Sequence, residues 1–95
     1  MEPPALRDAL VELARECGIA VRVLRSASDA PGLASGPALV RGAPWAVLVV
    51  SDTAPAQIRA LAAALLRFRA AELDARFLPP AVREVLDGVA AEKTR

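Results

Sequence analysis

The run WAVLVV, Trp45 to Val50, is the tightest constraint on how this chain can fold. Six consecutive apolar residues leave neither face of a strand to water. The run therefore predicts the middle strand of a sheet, covered on both sides or nearly so. Ahead of it, PALVRGAP predicts a hairpin: a strand over Ala38–Arg41, a turn at Gly42–Pro44, then the central strand. Pro44 falls at the start of that strand, where a missing N–H is tolerated. Behind the run, Asp52 or Thr53 can cap a helix whose first turn holds Pro55.

The flanking segments supply what such a strand packs against. Pro3 and Pro4 precede ALRDALVELARECG, where Leu6, Leu10, Leu13 and Cys17 recur at i, i+4, i+7 and i+11 on one helical face, with Gly18 as the stop. IAVRVLR then alternates Ile19, Val21 and Val23 against Ala20, Arg22 and Leu24, the period of a strand with one buried face. Ser26 to Gly36 reads as a loop, with Ser28 and Asp29 as turn residues. In the helix after the central strand, Ile58, Leu61, Ala62, Leu65 and Phe68 form the core stripe, and ELDARFLPP ends it with a short extended piece at Arg76–Leu78. A last helix, PAVREVLDGVAAE, turns Val82, Val85, Leu86 and Val89 inward. The predicted class is α+β, in the order helix, strand, strand, strand, helix, helix: a small three-stranded sheet, mixed or antiparallel, packed by helices. Residues 1–95 read as a single domain, with 1–4 and 93–95 frayed.

Composition works mainly by exclusion. The chain contains no histidine, so a histidine-based triad, a histidine general base and a histidine-ligated zinc are ruled out. One cysteine excludes an internal disulfide and a thiolate zinc site, and suits a reducing cytoplasm. It lies near the C-terminal end of its helix, where the dipole disfavours a thiolate, so Cys17 reads as a packing residue. A net charge of +1 and arginines scattered among acids give no field for nucleic acid. The apolar runs fall far short of the roughly 18 residues that a membrane span needs. SDAPGLASG lacks the pattern and the lysine of a phosphate loop. The expectation is a soluble, cytoplasmic protein with no catalytic, cofactor or metal residues.

From Val47 to Phe68, VLVVSDTAPAQIRALAAALLRF resembles the minimal zincin core of ImmA/IrrE-type metallopeptidases. In that family a strand leads through a short turn into a helix reading L-A-H-E-L-x-H. Leu61, Ala62 and Leu65 match its structural letters. Ala63 and Ala64 stand where the first metal histidine and the catalytic glutamate would be, and Arg67 where the second histidine would be. The resemblance thus implies the order of elements and no peptidase activity. The chain as a whole, from Leu6 to Leu86, also resembles a short bacterial family of uncharacterised function, through LRDALVELARECGIAVR and LPPAVREVL.

With the core stripe centred near Leu65, Ala56, Ala60, Ala63 and Arg67 fall on the opposite side of the helix. Small side chains there permit close approach of another backbone. This face, with Trp45 as an aromatic anchor, is the expected interface of a non-catalytic interaction module, a homodimer whose two-fold contact covers a sheet face or edge. The alternative is a small-ligand binder or histidine-free enzyme using Asp52 at the strand end with Arg59 or Arg67.

Overall fold

A computed structural model describes residues 2–25 and 35–93. The elements are α1 (Pro3–Glu16), β1 (Ala20–Leu24), β2 (Gly36–Val40), β3 (Ala43–Val49), α2 (Ala54–Ala75) and α3 (Pro80–Lys93). The fold is α+β in the expected order. The sheet is mixed, ordered β1-β3-β2, with β3 parallel to β1 and antiparallel to β2. Most of the expected loop, including Ser28 and Asp29, lies outside the described residues.

Several boundaries move for local reasons. α1 starts at Pro3, so the two prolines open the helix rather than precede it; their missing N–H groups have no intrahelical partner there anyway. It ends in a Schellman motif: Ile19 N–H donates to Ala14 O at 2.9 Å and Gly18 N–H to Arg15 O at 3.0 Å. Gly18, at φ +82°, supplies the left-handed residue this motif needs. The hairpin turn is Arg41–Gly42, not Gly42–Pro44. Both residues have positive φ, 52° and 81°, as a two-residue turn matched to strand twist requires. Pro44 consequently lies inside β3, opposite Leu39.

The register explains why both strand prolines are tolerated. With Val40 and Ala43 closing the turn, the hydrogen-bonded pairs are Val40–Ala43, Ala38–Trp45 and Gly36–Val47. Pro37 therefore points its nitrogen to the outer edge of β2. Pro44 points its own toward β1, one position before that pairing begins at Ala20–Trp45. Neither costs a ladder bond.

β3 is covered as the sequence predicts: Ala46, Val47, Leu48 and Val49 are all buried. Ala46 and Leu48 join the core with α1, α2 and α3. On the opposite face Trp45 is half-buried, with the Arg22 guanidinium carbon 4.9 Å from its ring centroid.

α2 is hidden almost all round through its first half, where Gln57, Ile58, Ala60, Leu61, Ala62, Ala64 and Leu65 are buried. The expected stripe is present, with Phe68 half-buried at its end. The alanines on the remaining sides let the helix sit close against β2 and β3. At Arg69 the helix is broken (φ −138°, ψ 31°). The Arg69 side chain spans the break, Nη1 donating to Phe68 O at 2.8 Å and Nε to Cys17 O at 2.7 Å. Beyond it, the connector to α3 turns Phe77 outward and Leu78 inward.

Candidate functional site

Among the described residues, a cleft beside α2 and the open edge of β1 present surface that packing does not consume.

The cleft encloses about 440 Å³. Its walls are Ser35, Gly36 and Pro37 at the start of β2, Ala56, Arg59, Ala60 and Ala63 on α2, and Val89 and Glu92 on α3. The alanine face expected as an interface is thus turned into the chain. Ala60 is buried, and Ala56 and Ala63 are half-buried floor residues. Arg67 is exposed, its guanidinium carbon 5.3 Å from the Phe68 ring centroid, and Trp45 is on the sheet face away from the helices. The five residues do not share one surface. Of the positions singled out by the zincin resemblance, Ala63 lines the cleft, Ala64 is buried and Arg67 is exposed.

The polar groups around the cleft are occupied by one another. Asp52 does not cap α2. Its Oδ2 accepts from Ser35 Oγ at 2.5 Å and from Ser35 N–H at 3.2 Å, while Thr53 Oγ1 caps the helix by accepting from Ala56 N–H at 3.2 Å. Ser35 Oγ in turn accepts from Val49 N–H at 2.8 Å. The reason is topological. Val49 directs its N–H and C=O toward β2, but that strand begins only opposite Val47. Ser35 Oγ takes the orphaned N–H, while the C=O accepts from Asp52 N–H at 3.0 Å and from Gln57 Nε2 at 2.9 Å. Across the cleft, Arg59 Nη1 donates to Glu92 Oε1 at 2.8 Å and its Nη2 to Oε2, joining α2 to α3. Both partners are about half exposed, so this pair contributes at most about 1 kcal/mol. Among the described residues no hydrogen bond or ion pair joins Asp52 to Arg59 or Arg67. The arrangement serves to tie β2, α2 and α3 together around an apolar floor.

Cys17 closes α1 from inside the core. Burial pushes its thiol pKa up, opposed by the Arg76 guanidinium and reinforced by the carboxylates of Glu72 and Glu16.

The β1 edge is different in kind. Leu24 O accepts from Val50 N–H at 2.9 Å, which turns Leu24, Arg22 and Ala20 toward β3. Val21 and Val23 therefore direct their N–H and C=O groups outward. Val23 was expected on the buried face. It does lie on the helix side of the sheet, but α1 does not reach over it, and it is 60% exposed. Val50 is 54% exposed beside it. With Val11, Val21 and Leu48 they line a shallow groove bordered by Arg7, Asp8 and Arg15 of α1. The other edge is blunted, because Pro37 occupies one of β2's two outward donor positions and leaves only Leu39.

Sequence reasoning named neither Ser35 nor Glu92 nor this edge. Their roles depend on which strands and helices become neighbours, which no local pattern encodes. Gln57 carried a legible signal, as an uncharged polar residue at the head of an otherwise apolar helix.

Among the described residues no helix is long and apolar enough to cross a membrane, and no cluster of three or more acidic or cysteine side chains could hold a metal ion. No protein family, curated protein or solved structure matches the chain.

Proposed function

We propose that this chain is a non-catalytic protein-interaction module, acting in a reducing cytoplasm through the open edge of β1. One observation carries the reading. Among the described residues nothing pairs with the outward main-chain groups of Val21 and Val23, which lie directly beside exposed Val23 and Val50 on a sheet whose other edge is blunted by proline. Strand addition there gives main-chain hydrogen bonds and apolar burial in one contact. The hydrogen-bonded polar groups of the cleft support the same reading, since each serves the fold. The zincin resemblance belongs to the proposal too: α2 keeps the packing letters Leu61, Ala62 and Leu65 and carries Ala63, Ala64 and Arg67 in place of reactive groups.

The test is a photo-crosslinking amino acid placed at Val23 in producing cells, with exposed Glu84 on α3 as the control position. The expected result is a discrete adduct from position 23 and none from position 84. No adduct at position 23 removes the proposal.

A further inference from the structure

We infer that the partner strand at this edge is β1 of a second copy of the same chain, paired antiparallel about a two-fold axis. The inference rests on the interaction reading above and adds the identity of the partner. Its motivation is the charge pattern on α1. The side of that helix bordering the groove presents Arg7 and Asp8, then Val11, then Arg15. Arg7 turns inward to Gln57 Oε1 at 3.1 Å, which leaves Asp8, Val11 and Arg15, three and four residues apart, as the outward strip. Asp8 and Arg15 side chains are 75% and 62% exposed, and their own-chain contacts are long, Asp8 to Arg7 at 3.8 Å and Arg15 to Glu12 at 3.7 Å.

A two-fold axis between the β1 strands makes the two α1 helices antiparallel. Val11 then lies against its symmetry mate, and each Asp8 faces the other copy's Arg15. A strip running negative, apolar, positive is complementary to itself in this one orientation and repels itself in the parallel one.

The strand sequence fits the same operator. Pairing centred on Val21 sets Arg22 opposite the other copy's Ala20 and Val23 opposite its Ile19. Pairing centred on Arg22 would instead oppose two arginines directly. In the Val21 register the outward N–H of Val21 meets the outward C=O of its mate, and the N–H of Val23 meets the C=O of the other copy's Ile19. The Ile19 N–H is already given to Ala14 O, so it needs no partner there. Val23 and Val50 move from solvent toward the second copy's apolar groove.

The experiment is light scattering on the eluting full chain from micromolar to several hundred micromolar, with charge-reversal variants. The wild type should reach twice the 9.9 kDa chain mass. Asp8→Arg and Arg15→Asp should each weaken association by roughly tenfold or more, since each reversal acts twice across the two-fold. Mixing the two variants should restore a heterodimer, because each reversed residue then meets its opposite. These positions are exposed on a helix surface, and circular dichroism verifies that both variants fold. A wild type monomeric throughout, reversal variants that dimerise as well as wild type, or a mixture that stays monomeric would each overturn the inference. The crosslink separates the two claims. An adduct of some other protein at position 23, with a monomeric chain in isolation, keeps the interaction module and removes the second copy.

Discussion

Gln57 and Val49 share a buried hydrogen bond in which the side-chain amide donates to the strand's carbonyl oxygen across 2.9 Å. The same amide accepts from Arg7 Nη1 at 3.1 Å, so one side chain fastens β3, α2 and α1 together. Gln57 is the one buried polar side chain among the described residues, at 6% exposure. Gln57→Leu should therefore cost about 1 kcal/mol despite its apolar gain, because Val49 O keeps only the Asp52 N–H at 3.0 Å and Arg7 Nη1 loses its acceptor. Gln57→Glu tests the cause. It keeps the shape and strengthens the pull on Arg7, yet a carboxylate cannot donate to a carbonyl. Urea unfolding should show both variants destabilised; a neutral Gln57→Glu would mean that the Val49 bond contributes little.

Asp52 and Thr53 divide two tasks that the sequence offers to either. Thr53 caps α2, and Asp52 holds Ser35. Thr53→Ala should cost about 1 kcal/mol as a lost cap. Asp52→Ala and Ser35→Ala should couple in a double-mutant cycle by about 1 kcal/mol, because each removes the other's partner. Asp52→Ala and Thr53→Ala share no partner and should be closer to additive, despite being neighbours. Strong coupling of Asp52 with Thr53 and none with Ser35 would reverse the assignment.

The elements were legible in the sequence because each rests on a local pattern. Leu10, Leu13 and Cys17 repeat at helical spacing, and WAVLVV has no polar face, so α1 and β3 follow without knowledge of their neighbours. The turn was misplaced by the pull of Pro44, since a glycine with a proline two residues on reads as turn. Only the register shows that its nitrogen faces a position with no ladder bond to lose. The alanine face of α2 was read as the side away from the core, which assumes that a helix buries one stripe. Here the sheet, α1 and α3 press on it from several directions, and Ala60 and Ala64 are as hidden as Leu61. Val23 failed for the complementary reason. Period two identifies its face, but nothing local reveals that α1 stops short of covering it.

The break in α2 at Arg69 makes a further prediction. Glu72 is the residue whose N–H would ordinarily bond Phe68 O in an unbroken helix, and the Arg69 guanidinium takes that carbonyl while also holding Cys17 O at the end of α1. Arg69→Ala leaves both carbonyls without this donor and should cost about 1.5–3 kcal/mol, the range for charge-assisted bonds. Arg69→Lys should recover only part of it, because one ammonium lacks the fork that reaches both oxygens. Thermal unfolding should order the stabilities as wild type, Lys, Ala. Equal loss for both variants would point to packing of the side-chain stem instead.

Cys17 links this end of α1 to pH. Burial raises its thiol pKa above the ordinary value of 9.0, so the folded chain holds the proton more tightly than the unfolded chain does. The sign follows. Below the unfolded thiol pKa both states are protonated and the associated stability is fully present. As pH rises from there through the folded pKa, the unfolded state loses its proton first, and that stability is lost. Denaturant midpoints measured from neutral to alkaline pH should fall more steeply for wild type than for Cys17→Ala, whatever the offset between the curves from the smaller side chain. Alkylation at neutral pH should correspondingly be slow in the native protein and fast in denaturant. Parallel pH curves, or a native thiol that reacts as fast as the unfolded one, would show that Cys17 is neither buried nor shifted as its place in the core requires.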